Sequence, residues 1–150
     1  MSDAKFRIRA TSENATKTKV KARNFEMILD EPDQFGGTNE GATPVEYVLA
    51  SLAGCLNVVG HMVAKELDFE IRDLSFDISG PLNADKAFGK DTKDRAGYKN
   101  IDVTIKIDAD ADEDILNKWV EMVESRCPVS DNLHNKTPLN ISLKTIVEAE

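Results

Sequence analysis

Two cysteines and two histidines are the residues of this chain best suited to chemistry, and their spacing narrows what that chemistry can be. The thiolate is the nucleophilic form of cysteine and a minor species at an unperturbed pKa of about 8.5, so a functional cysteine needs access and something that lowers its pKa. Cys55 lies in TPVEYVLASLAGCLNVVGHMVAK, where its neighbours one helical turn away are Ser51, Leu52, Val58 and Val59. None is charged, so an activating cation must come from elsewhere in the fold; packing as a small buried hydrophobe is the alternative. Cys127 stands in Arg126-Cys127-Pro128-Val129-Ser130. A proline there suits the start of a short helix, whose unpaired N–H groups favour a thiolate, and a plain cap or turn residue is the alternative.

The cysteines are too far apart in the chain for a Cys-x-x-Cys motif, and with two dispersed histidines a zinc site is not expected. His61 lies six positions after Cys55, which at 100° per residue turns it about 120° away, so a dyad within one helix is poor geometry. His134 reads as an exposed loop residue. Glu46 is the nearest carboxylate before Cys55, but Thr43-Pro44-Val45-Glu46 has the Thr-x-x-Glu spacing of a capping box with proline at the first helical position. Glu46 stands with Cys55 and Cys127 as a catalytic candidate, and the cap is the reading that explains it without catalysis. Neither a metal nor a cofactor is expected.

The elements that must position these residues follow from periodicity. Phe6, Ile8 and Ala10, then Val20 and Ala22, then Phe25, Met27 and Leu29 alternate with polar residues, predicting three N-terminal strands. Connections fall at Ser12 to Thr16 and Ala22 to Asn24. DEPDQFGGTNEGA, from Asp30 to Ala42, reads as an irregular approach to a long helix over Thr43 to Lys65. That helix is apolar nearly all round, with small residues at Ala50, Ser51, Ala53 and Gly54, so it should be wrapped by sheet or packed against a partner subunit. Phe69 to Ile78 and Tyr98 to Asp108 alternate as a long hairpin, joined by a charged loop, Asn83 to Gly97, expected to be mobile. Asp108 to Asp114 supplies the start of a helix through Ile115, Leu116, Trp119, Val120 and Val123, expected to cover a face of the sheet. A short helix over Val129 to His134 and a strand over Leu139 to Val147 complete the chain.

One domain covering residues 1–150 is expected, long enough to bury a core without staples. The formal charge of −8 argues against nucleic acid and anionic membrane surfaces. From Tyr47 to Ala64 there is no Asp, Glu, Lys or Arg, but Ser51, Gly54, Asn57, Gly60 and His61 dilute the stretch, favouring a buried helix over a membrane span. The N-terminus, MSDAKFRIRAT, lacks the apolar core of a secretory signal, so a cytoplasmic, reducing compartment is expected.

Taken together, FGGTNEGATPVEYVLASLAGC and ESRCPVSDNLHNKTPL resemble the two signatures of the OsmC-like family, which includes osmotically inducible protein C and the organic hydroperoxide resistance proteins. The resemblance spans nearly the whole chain. It implies an α+β fold with an N-terminal β-meander, a long central helix, a β-hairpin, a second helix and a C-terminal strand, in an intertwined homodimer with active sites at the subunit interface. It further implies a thiol-dependent peroxidase in oxidative stress defence. Cys55 would attack the O–O bond of an organic hydroperoxide, Cys127 would condense with the sulfenic acid to a disulfide, and a dithiol such as a lipoylated protein would reduce it. An apolar pocket at Cys55 would favour alkyl or fatty acyl hydroperoxides.

The sequence departs from the peroxidase branches at two points. There the helix opens Pro-Glu, whereas here Val45 follows the proline and Glu46 comes next. Glu46 is thus nine residues before Cys55, rotated about 180° from it, where ten would give about 80°. The arginine that those enzymes carry on the N-terminal strands has no clear match; Lys17, Lys19 and Arg23 are the basic residues nearby, and lysine lacks the planar fork. Both features are closer to a less characterised branch of the family. A non-catalytic protein binding an apolar or acyl ligand at the dimer interface is the alternative function. A hot-dog thioesterase shares the wrapped helix but leaves Cys-Pro-Val-Ser unexplained.

Overall fold

Alternation near the N-terminus produces an antiparallel meander in the computed structural model, which describes residues 2–146. Strands β1 (Arg9–Ser12), β2 (Thr18–Ala22) and β3 (Phe25–Leu29) lie in the order β1-β2-β3. Val20 is the buried centre of the middle strand, facing Ala10 on one side and Met27 on the other. The chain divides into two units, Met1–Gly54 with Asp73–Ile107, and Cys55–Arg72 with Asp108–Glu150.

In the first unit a buried aspartate organises the approach to the long helix. Asp30 is fully buried and its carboxylate accepts from the Thr16 hydroxyl at 2.7 Å, from the Thr38 hydroxyl, and from the N–H groups of Glu31 and Glu40 at 2.7 and 3.2 Å. Burial alone would push its pKa up. The Thr38 and Thr16 hydroxyls and the two N–H groups outweigh that and hold it well below the usual carboxylate range. The glycines of FGGTNEG have a packing reason as well: a Cβ on Gly37 would fall 1.7 Å from the Glu31 carbonyl oxygen, and one on Gly41 2.2 Å from that of Ile28. The segment thereby runs close against the end of β3, where Leu29 pairs with Ala42.

Helix α1 (Pro44–Glu66) starts as its punctuation predicts. The Thr43 hydroxyl accepts from the Glu46 N–H and the Glu46 carboxylate accepts from the Thr43 N–H, each at 3.2 Å, a closed capping box. The Tyr47 hydroxyl donates to the Ile28 carbonyl at 3.0 Å, and the Tyr98 hydroxyl to the Val45 carbonyl at 2.7 Å, tying meander and hairpin arm to the first turn of the helix. By length and hydropathy α1 could cross a bilayer, yet only 33% of its most apolar window is buried within the chain. The exposed face carries Val45, Val48, Val58 and Met62, so burial on most sides is not achieved by the chain's own elements.

Strands β4 (Ile71–Ser79) and β5 (Asp102–Ala109) form the expected hairpin as a two-stranded sheet. The charged connection has internal structure: Leu82 pairs with Tyr98, the Asn83 amide donates to Asp94 at 2.9 Å, and Lys99 meets Asp94 at 3.0 Å.

In the second unit, helix α2 (Glu113–Arg126) is capped by Asp112, whose side chain accepts from the Ile115 N–H at 2.9 Å, and it is followed by α3 (Pro128–His134). Trp119 of α2 meets α1 and the segment that follows it: its indole N–H donates to the Gly60 carbonyl at 2.7 Å, and Phe69, beyond the end of α1, packs edge-on against the same indole. Residues 136–146 form no strand. Their alternation persists, but a strand needs an edge to pair with, and Leu139, Ile141, Leu143 and Ile146 are instead exposed, at 83% to 96%. Val147, the end of the expected strand, lies outside the described residues. The architecture is α+β.

Candidate active site

The core of the second unit leads directly to a thiol. Trp119, Val123 and Cys127 recur every four residues and are almost completely buried, as are Val63 and Ala64 on α1. Cys127 is thus the last rung of the apolar stripe of α2. Pro128 disfavours helical geometry at the residue before it, and Cys127 adopts extended values, φ −71° and ψ 113°, which end α2 and begin α3. Its Sγ then accepts from the Ser130 N–H at 3.4 Å, so Cys127 is both the cap of α3 and a side chain aimed at α1.

The sulfur of Cys127 lies 2.8 Å from that of Cys55, with the Cys127 thiol donating. Both cysteines are free. That separation is inside ordinary contact and beyond the ~2.05 Å of a covalent S–S bond, so the thiols are juxtaposed for disulfide formation. Cys55 is half-buried while Cys127 is wholly so.

Burial is the largest influence on the Cys55 thiol and pushes its pKa above the ordinary 9.0. The hydrogen bond with Cys127 acts in the same direction, the Val129 N–H opposes it, and charge on Cys127 raises it further. Among the described residues no cation figures in these influences. The nearest basic residue in sequence to Cys127 is engaged elsewhere: Arg126 Nη1 bonds both carboxylate oxygens of Glu66, at 2.7 and 2.8 Å.

Of the residues singled out by sequence, Cys55 and Cys127 are brought together. Glu46 holds the cap of α1. The candidate cations of the meander have partners of their own: Lys17 meets Glu40 at 3.0 Å, Lys19 lies near Glu13 and Glu26, and Arg23 stacks over the Phe25 ring at 5.0 Å. His61 is exposed, and His134 lies 3.7 Å from Glu124. No group of three metal-ligating side chains occurs among the described residues. The contacts that sequence reasoning missed are the Trp119–Gly60 hydrogen bond and the Arg126–Glu66 pair. The recurrence of Trp119 on the apolar stripe signalled its burial but not its partner, and two half-exposed charges gave no signal.

The family model described as OsmC-like protein matches residues 37–142, a span that takes in both cysteines. A protein of Mycoplasma genitalium named hydroperoxide reductase is 21% identical over 142 residues, covering 94% of this chain and 95% of its own. Among solved structures, an OsmC-like protein of Mycoplasma pneumoniae superposes with a TM-score of 0.78 at 22% identity, covering 89% of each chain. The organic hydroperoxide resistance protein OhrB of Bacillus subtilis gives a TM-score of 0.57 at 22% identity, covering 85% of this chain and 89% of its own. The match to the family model over most of the chain, with the same fold in these structures, places this chain in the OsmC-like protein family.

Proposed function

We propose that the protein is a thiol-dependent peroxidase that reduces organic hydroperoxides through Cys55 and Cys127 and serves in peroxide defence. The 2.8 Å approach of the two sulfurs is the observation that carries this reading. It is supported by relatives named hydroperoxide reductase and organic hydroperoxide resistance protein. In the cycle, the Cys55 thiolate attacks the distal oxygen of ROOH, the O–O bond breaks, and the alkoxide leaves as ROH on taking up a proton. Cys55 is then a sulfenic acid. The Cys127 thiol displaces its hydroxyl as water, forming the Cys55–Cys127 disulfide. A dithiol, of the kind carried by a lipoylated protein, restores both thiols by exchange and leaves as its own disulfide.

The working form in this proposal is a cytoplasmic homodimer. Cys55, Val58 and Met62 follow one another at helical spacing, with Val58 58% and Met62 59% exposed. A second copy covering that face would wall the half-buried thiol with apolar side chains and give residues 139–146, whose apolar side chains stand exposed, an edge to pair with. Such a wall favours alkyl and acyl hydroperoxides. One equivalent of cumene hydroperoxide is expected to give a Cys55–Cys127 disulfide on a non-reducing peptide map, and Cys55→Ser to abolish turnover with a dithiol. Full activity in Cys55→Ser would overturn the assignment.

The raised pKa of Cys55 favours a second reading, a protein that binds an apolar or acyl ligand at the dimer interface with slow thiols. Native mass spectrometry before and after denaturation separates the two. A ligand carried through purification, with thiols that ignore peroxide, supports binding; an empty protein with fast Cys55 oxidation supports catalysis.

A further inference from the structure

The chain grips α1 at two widely separated points with two consecutive residues. Cys127 reaches Cys55, while Arg126, the last residue of α2, reaches Glu66, the last residue of α1. The two contacts are eleven residues apart on α1, about 16 Å of helical rise. One guanidinium nitrogen binds both oxygens of Glu66, so the end of α2 is held against sliding along α1 as well as against separation. Midway along α2 a further tie to α1 is the Trp119–Gly60 hydrogen bond.

The sulfur contact cannot supply that restraint by itself. In the dithiol form nothing covalent joins the two sulfurs, and disulfide formation demands a narrow set of Cβ positions and torsions. We propose that Arg126, acting through Glu66, is a positioning residue that sets the effective concentration of the Cys127 thiol at Cys55. This rests on the reading of Cys55 and Cys127 as a redox pair. Because both side chains are about half exposed, the device is sensitive to ionic strength: salt screens the pair and lowers the effective concentration.

The test is the equilibrium with dithiothreitol, in which two protein thiols and oxidised dithiothreitol exchange for the protein disulfide and reduced dithiothreitol, two electrons passing to the small molecule. Trapping with an alkylating reagent gives the equilibrium constant without any peroxide. Arg126→Ala and Glu66→Ala are each expected to lower it about three- to tenfold, the double variant no further than the worse single one, and the exchanged pair Arg126→Glu with Glu66→Arg to recover most of it. Between 10 mM and 1 M salt the wild-type constant falls and that of Arg126→Ala stays flat. Melting temperatures of the same variants, with recovery in the exchanged pair, separate positioning from general loss of structure. A disulfide that forms equally well in Arg126→Ala, or a wild-type constant insensitive to salt, overturns the positioning role alone. A wild-type protein that forms no Cys55–Cys127 disulfide overturns the redox pair and this role with it.

Discussion

Replacing Trp119 by phenylalanine tests whether α2 is held where it presents Cys127. The indole is 1% exposed and its N–H donates to the Gly60 carbonyl at 2.7 Å. Losing a buried hydrogen bond of this kind costs about 1 kcal/mol. The smaller ring leaves about 40 Å³ unfilled, which at roughly 24 cal/mol per Å³ adds about 1 kcal/mol. The sum, about 2 kcal/mol, corresponds to a fall in melting temperature of about 4–8 °C for a chain of this size. Calorimetry of the reduced protein at fixed protein concentration measures it, with Val120→Ala as the control, since Val120 is exposed on the same helix. Cys127 supplies a second readout. It is wholly buried, so its alkylation reports opening of α2, and its rate should rise about thirtyfold if the local stability falls by the full amount. A fall under 2 °C, with Cys127 no more reactive than in the wild type, would refute the account of α2 as anchored through Trp119.

Alkylation of Cys55 in Cys127→Ser should rise about tenfold per pH unit from pH 6.5 to 8.5, because burial holds its pKa up; a plateau below pH 7 would mean that a cation reaches the thiol. Thr43→Ala should cost about 1 kcal/mol through loss of the α1 cap, whereas Glu46→Gln, which can still accept from the Thr43 N–H, should keep peroxidase activity within about twofold; a hundredfold loss would make Glu46 catalytic. Asp30 is ionised to lower pH in the folded chain than in the unfolded one, so its stabilisation is complete above the ordinary 3.8 and drains away as pH falls below it. Asp30→Asn should therefore melt lower at pH 7 and show a flatter decline below pH 4, and parallel curves would count against the Asp30 network. Met62→Glu places a charge on the exposed face of α1 and should convert the proposed dimer into monomers in sedimentation velocity, whereas a dimer left unchanged would move the interface elsewhere and a monomeric wild type would remove it.

Features written in neighbouring residues were legible. Thr43, Pro44 and Glu46 announce the start of α1 because a capping box closes within one turn, and the alternation around Val20 fixes the meander for the same reason. Contacts between distant residues were not. The two sulfurs meet across 72 residues of chain, and only resemblance to a family pointed to the pairing. Asp30 looked like any aspartate of a Pro- and Gly-rich segment, since its burial depends on Thr16 and Thr38 arriving from either side. The alternation over Leu139 to Val147 was read as a strand, but pattern specifies a face and not a partner. In the single chain the face stands open.

The burial of the two thiols sets the order of events in the proposed cycle. An oxidant needs access as well as a thiolate, and Cys127, wholly buried as the last rung of the α2 stripe, offers none, so peroxide meets the half-buried Cys55 first. The same burial raises the Cys55 pKa and keeps its thiolate scarce. What compensates is the neighbour. Once Cys55 is a sulfenic acid, Cys127 is already in contact and reaction within the pair competes with a second oxidation, which would be irreversible without a dedicated repair enzyme. A pair held at 2.8 Å by a packed helix is suited to a cycle in which the sulfenic acid is short-lived. In Cys127→Ser the sulfenic acid should therefore persist long enough to be trapped by dimedone, and in the wild type it should not.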